Sequence, residues 1–154
     1  MPVIAITLHL LAVIVWIGGM FFGFAAVRPT LKGMDTLAAA RLWAGLLGRF
    51  LPWVWGAIVV ILATGVYMVF NSFDGFGQLP WFVQFMMGVG LIMMALTGHV
   101  SFAPFKRLKR AVAGNDEALA AKAMRQIRLI MAVNLVLGIA VVIVIMGGAY
   151  VSTD

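Results

Sequence analysis

Four runs of apolar residues, each long enough to cross a bilayer as a helix, constrain this chain more than any other feature. They extend approximately from Val3 to Val27, Leu51 to Phe70, Leu79 to Ala103 and Leu129 to Val151, and a helical crossing takes ~20 residues. No Asp, Glu, Lys or Arg interrupts any of them. The chain is 64% hydrophobic and 10% charged, where an ordinary soluble domain carries ~25% charged residues, so the surplus apolar surface has to face lipid. The expected fold is all-α: a polytopic membrane protein built as an antiparallel bundle of four transmembrane helices, one domain over residues 1–154. The first run does not read as a secretory signal. No basic segment precedes it, Arg28 follows it, and it exceeds the usual ~7–15-residue apolar stretch.

The charges orient the spans. Arg28, Lys32, Arg41 and Arg49 surround the first connection, and Lys106, Arg107, Lys109, Arg110, Lys122, Arg125 and Arg128 fill the third. The short second connection holds Asp74 and no base, and the C-terminal tail ends in Asp154. Lysine and arginine accumulate on the cytoplasmic side of membrane proteins. The expectation is therefore a membrane protein with both termini on the outer face and both basic connections cytoplasmic. Basic residues that flank apolar spans meet anionic headgroups, so the sequence pI of about 10.6 implies a lipid partner rather than nucleic acid.

Both basic connections are expected to contain helix. Asp35 or Thr36 can cap a segment through Leu37, Ala40, Leu42 and Leu47, with Pro52 kinking its entry into the membrane or starting a separate helix. Phe105 to Val112 reads as an extension of the third helix, Gly114 and Asn115 as a turn, and Asp116 as the cap of a helix leading into the fourth span. Asn71 to Pro80, rich in Gly and Asp, reads as a loop.

Helical spacing assigns the polar residues to faces. His9, Ala12, Val13, Trp16, Gly19, Met20 and Gly23 share one side of the first helix, where Gly19 and Gly23 allow close approach of a neighbour. Phe85, Gly88, Ile92, Ala95 and His99 share a side of the third, again with small residues that suggest an inward face. Met131, Asn134, Gly138 and Ile145 align on the fourth, and Asn134 is expected to point inward because lipid cannot satisfy its amide.

Depth separates the two histidines. At ~1.5 Å per residue, His9 lies ~8 Å below the outer edge and His99 ~28 Å below it. Two ligands of one metal ion stand about 4 Å apart, from ~2 Å bonds, so His9 and His99 cannot share an ion within one chain. At the level of His9 the other spans offer Tyr67, Met68, Met86, Met87 and Met146; at the level of His99 they offer Met20, Met131 and Asn134. Imidazole and thioether suit cuprous copper, and His with Met is also an axial pair for heme iron. The candidate metal ligands are thus His9, Met68, Met86, Met87 and Met146, with His9 or His99 as the alternative axial ligand of heme b. A histidine in a span can equally serve only to bond a neighbouring helix, and most of the methionines are expected to be packing residues. The absence of cysteine excludes disulfides, thiolate sites and iron–sulfur clusters. No acyl-transfer triad, phosphate loop or intramembrane carboxylate pair is present, which argues against carboxylate-based proton coupling.

The string from His9 through Trp16, Gly18, Gly19, Met20, Phe21 and Phe22, followed by Arg28 and Pro29, resembles the opening helix of the copper-resistance protein D family, of the type H-x6-W-x-G-G-x-F-F. Phe102 to Val112, and Arg125 to Leu129 leading into Asn134 and Gly138, are similar to later parts of that family. The resemblance implies a role in copper uptake or tolerance in the bacterial inner membrane, with a periplasmic copper donor or redox partner. Many family members are larger and carry this domain at their C-terminal end. A more distant similarity, through His9, Trp16, Gly18 and His99, is to the HemJ type of protoporphyrinogen oxidase and implies heme b. The arginine and tyrosine–histidine pattern that follows the first helix in that group is absent here. A partner subunit without cofactor is the third reading. The orientation is checked directly: a reporter active only in the periplasm is expected to work when fused after Asp154 and to be silent when inserted near Gly114. The opposite pattern would reverse the assigned depths of both histidines.

Overall fold

The computed structural model describes residues 2–151, and among them every regular element is helical. α1 is Pro2–Phe22, continued by a π-helical turn at Gly23–Val27 and a last turn, α2, at Arg28–Thr30. Pro29 brings no N–H to this end, and the wider turn falls just before it. α3 is Thr36–Ser72, α4 Trp81–Phe102, α5 Pro104–Ala113 and α6 Glu117–Val151. Four helical stretches, Pro2–Thr30, Thr36–Ser72, Trp81–Ala113 and Glu117–Val151, are long and apolar enough to cross a membrane. Joined by short connections, they form the expected antiparallel four-helix membrane bundle.

Three details of the connections differ from the sequence reading. Of the two readings of Pro52, the separate helix is not found, since the 37-residue helix runs through it. Leu47, Leu51 and Val54 on either side of the proline are all buried, and this packing holds both halves in one helix. The basic segment after the third span does not extend α4. Ala103 leaves the helix, with φ −120° and ψ −82°, and α5 starts afresh at Pro104. A proline disfavours helical backbone in the residue before it and suits the first turn of a new helix. The caps are as read. Asp35 accepts from the backbone N–H of Leu37 and Ala38 at 3.1 Å each, and Asp116 accepts from Leu119 at 2.9 Å. Asn115, at φ 50°, makes the turn before Asp116. The second connection is shorter than expected: α3 continues to Ser72, and a 3₁₀ turn forms at Phe76–Gln78.

The bundle has two packed zones. Toward the basic end, Ala40, Trp43 and Leu47 of α3 meet Phe105, Leu108 and Ala111 of α5 and Ala120, Ala123 and Ile127 of α6. α5 is amphipathic: Pro104, Phe105, Leu108 and Ala111 are buried, while Lys106, Lys109 and Arg110 are exposed. Arg107 donates to Gln126 Oε1 at 2.8 Å and Arg41 to Asn115 Oδ1 at 2.8 Å, tying the helices across this end. Within the spans, Ala12, Trp16 and Met20 of α1 pack on Val54, Ala57 and Ile58 of α3, Met93 of α4 and Leu135 of α6. Most other apolar side chains of the spans are exposed, among them Ile14, Leu62, Leu91 and Ile143. In a membrane these are the lipid-facing surface.

Small residues set the closest approaches. The Phe50 ring lies over Gly19, and Ile17 covers Gly138. At Gly148 of α6, an added Cβ would stand 2.7 Å from Phe82 Cβ of α4, an atom that moves only with its backbone. Gly148→Ala is therefore expected to push α4 and α6 apart and to lower thermal stability in detergent, by the ~1–3 kcal/mol typical of overpacking. Gly147→Ala, whose Cβ meets nothing within 4 Å, serves as the control and is expected to melt like the wild type. Equal melting of the two variants would mean that this pair of helices yields freely.

Candidate functional site

The buried stripe of α1 is Ala5, His9, Ala12, Trp16 and Met20, steps of three and four residues that keep one face toward the bundle. His9 is the ionisable member, 9% exposed. Its Nδ1 lies 2.9 Å from Thr64 Oγ1 of α3, and its Cε1 lies beside Gly65.

The threonine decides the tautomer. A hydroxyl has one proton to give, and Thr64 Oγ1 gives it to the Val60 carbonyl at 2.6 Å, with the Ile61 carbonyl at 3.3 Å. Carbonyls only accept, so the Thr64 oxygen must accept from His9. Nδ1 therefore carries the imidazole proton, and Nε2 keeps its lone pair. A neutral imidazole held through its other nitrogen is the arrangement usual for a metal-ligating histidine.

The other sequence candidates are distributed unevenly. Met68 is half-buried one turn beyond Thr64 on α3. Met86 and Met87 of α4 are half-buried against Val69, Leu79 and Val83. Met146 is 60% exposed on the outer surface of α6 and does not join the buried set. His99 also differs from expectation. Phe85, Gly88, Ile92, Ala95 and His99 are all exposed, so this face of α4 looks out of the bundle, because Val83, Met93, Thr97 and Val100 supply the inward one. Asn134 points inward as expected, 3% exposed. Its Nδ2 donates to the Met93 carbonyl at 3.2 Å and to Thr97 Oγ1 at 3.1 Å, joining α6 to α4. Its Oδ1 is buried without a hydrogen-bond partner among the described residues.

Thr64 and Thr97 are the hydrogen-bond partners of His9 and Asn134 that the sequence reading does not name. Each is a hydroxyl inside an apolar run, within a few residues of the level of His9 or Asn134, and that coincidence was the available signal. Among the described residues no three His, Asp or Glu side chains gather as a metal group. A metal ion in this bundle has to rely on imidazole and neutral donors.

Against models of known families, residues 44–147, about two thirds of the chain, match the family described as copper resistance protein D. The chain belongs to that family. The match covers α4, α5, most of α3 and most of α6, and so contains Thr64, Met68, His99 and Asn134; it begins after α1 and does not include His9. No match was found among curated proteins or among solved structures.

The pairing of His9 with Thr64 is testable by itself. Thr64→Val keeps the shape and removes the acceptor, which is expected to cost the ~1–3 kcal/mol of a buried donor left unpaired and to raise the fraction of His9 carrying its proton on Nε2. Side-chain nitrogen chemical shifts of labelled histidine report that tautomer, and Thr64→Ser is expected to restore it. An unchanged tautomer in Thr64→Val would show that another group fixes the ring.

Proposed function

We propose that this member of the copper resistance protein D family binds cuprous copper within the bacterial inner membrane and serves copper uptake or tolerance there. The proposed ligand is Nε2 of His9, with the thioether of Met68, the methionine of α3 one turn beyond Thr64, as its partner. The observation that carries the reading is the hydrogen bond of a buried histidine: Nδ1 lies 2.9 Å from Thr64 Oγ1, which supports a tautomer with its Nε2 lone pair available to a ligand, in a chain whose family is described by copper resistance.

The chemistry suits the surroundings. Imidazole and thioether are neutral donors that favour a soft univalent ion. Neither has to lose a proton to bind, so the ion enters without leaving an anionic group in an apolar region when it departs. With the termini periplasmic, as the distribution of bases supports, His9 lies ~8 Å below the outer edge and would take the ion from a periplasmic donor. Met146, exposed in this structure, is not needed in this set.

Bound copper and heme per protein are measured on folded, detergent-purified variants. His9→Ala is expected to remove most of the outer-site copper, and His99→Ala to leave it intact. Wild-type copper content in His9→Ala would make His9 a structural residue and overturn the site. A Soret band that disappears in either histidine variant would replace copper with heme b as the bound group.

A further inference from the structure

The interior of the bundle holds a second group of soft donors that the His9 site does not use. A cavity of about 20 Å³ lies toward the basic end of the spans, and Trp16, Met20, Thr97, Met131 and Asn134 are in its lining. Trp16 and Met20 belong to the same buried stripe as His9, on the side toward the basic end. Asn134 contributes an amide whose Nδ2 is bonded twice and whose Oδ1 has no partner among the described residues.

A single water is the ordinary occupant of such a space. A volume of ~10–15 Å³ is enough for one, but it needs two to four polar partners. Asn134 and Thr97 bring this lining two polar groups, the fewest a water needs, and the remainder is thioether, indole and hydrocarbon. Buried amide oxygens are rarely left unpaired, so the unpaired Oδ1 needs an electropositive partner. Two thioethers on facing helices, an amide and an indole are donors suited to a soft univalent cation: sulfur binds such ions, an amide oxygen's dipole stabilises their charge, and an aromatic ring attracts cations.

We propose that Met20 and Met131, with the Asn134 amide oxygen, form a second cuprous site deeper in the bundle than His9, so that one buried stripe of α1 serves two sites in series. The inference rests on the copper reading of the protein. At ~1.5 Å per residue, Met20 lies ~16 Å along α1 from His9. The two sites are too far apart to share an ion and close enough for one chain to hold both.

The full-length protein in detergent is titrated with cuprous or silver ions against a competing chelator, with X-ray absorption on the loaded samples. Wild type is expected to take up two equivalents. The double variant Met20→Leu with Met131→Leu conserves volume and apolarity and is expected to take up one, with loss of most sulfur scattering. His9→Ala is expected to take up one and to retain that sulfur signal. Thermal melts of the same samples confirm folding. Unchanged uptake in the methionine variant would overturn the second site and assign the cavity to water, while leaving the His9 reading to its own test. Uptake that is lost in the methionine variant and unaffected by His9→Ala would support the inner site and overturn the outer one.

Discussion

The bilayer offers no hydrogen bonds, and the arrangement of this bundle follows from that. Helices satisfy their own backbone in lipid, which leaves the polar side chains inside the spans to find partners across helices. His9 meets Thr64 between α1 and α3. Trp55 donates to Ser101 between α3 and α4 at 3.2 Å. Asn134 meets Thr97 and Met93 between α6 and α4. These contacts connect all four spans. Each is worth only ~0.6 kcal/mol on average in a membrane, so their main consequence is register. A helix displaced by one turn would leave each of these groups facing hydrocarbon.

Close packing does the rest, by different physics at the two ends. Within the spans lipid is as apolar as the side chains, and association depends on contact where Gly19, Gly138 and Gly148 admit Phe50, Ile17 and Phe82. At the basic end, where the chain carries its charges, Leu108, Ala111, Ala120, Ala123 and Ile127 are fully buried beneath exposed lysines and arginines. That zone resembles the core of a small water-soluble helical domain, and water drives its burial. Lys106 and Lys109 lie over the rings of Phe102 and Phe105 at 5.5 and 4.9 Å, and so stand where the two environments meet.

Most of the architecture was legible because hydrophobic length and charge distribution are direct physical requirements of a membrane. The inward faces of α1 and α6 were legible for the same reason: His9 and Asn134 have polar atoms that lipid cannot satisfy. The face of α4 is not legible in this way, because small residues alone do not mark a contact. Gly88 and Ala95 are small and exposed, and nothing in a spacing pattern distinguishes a glycine that admits a neighbour from one that does not. His99 followed them outward, where a residue near the end of a span can reach toward the interface. The break at Ala103 follows from Pro104 and is a local effect, whereas the passage of α3 through Pro52 depends on packing against other helices, which a local reading of proline does not contain. The partnership of His9 with Thr64 joins residues 55 positions apart, so it emerges only when depth is compared between spans.

The same economy of polar groups bears on how an ion could pass through such a protein. Moving a univalent ion into a bundle with no intramembrane carboxylate leaves its charge uncompensated, so binding there has to rest on dipoles and polarizable atoms. Carboxylate or thiolate ligands would hold the ion more tightly, but they would have to be deprotonated in an apolar interior and would remain as buried anions once it left. Neutral imidazole, thioether and amide avoid both costs and bind more weakly. On the proposed function, in which the protein passes copper on rather than storing it, weak neutral sites in sequence are the favourable arrangement, because each must release what it binds. The proposed donors on the buried stripe of α1 and the helices facing it, His9, Met20, Met68, Met131 and Asn134, are all of this kind. None of them carries a charge that would outlast the ion.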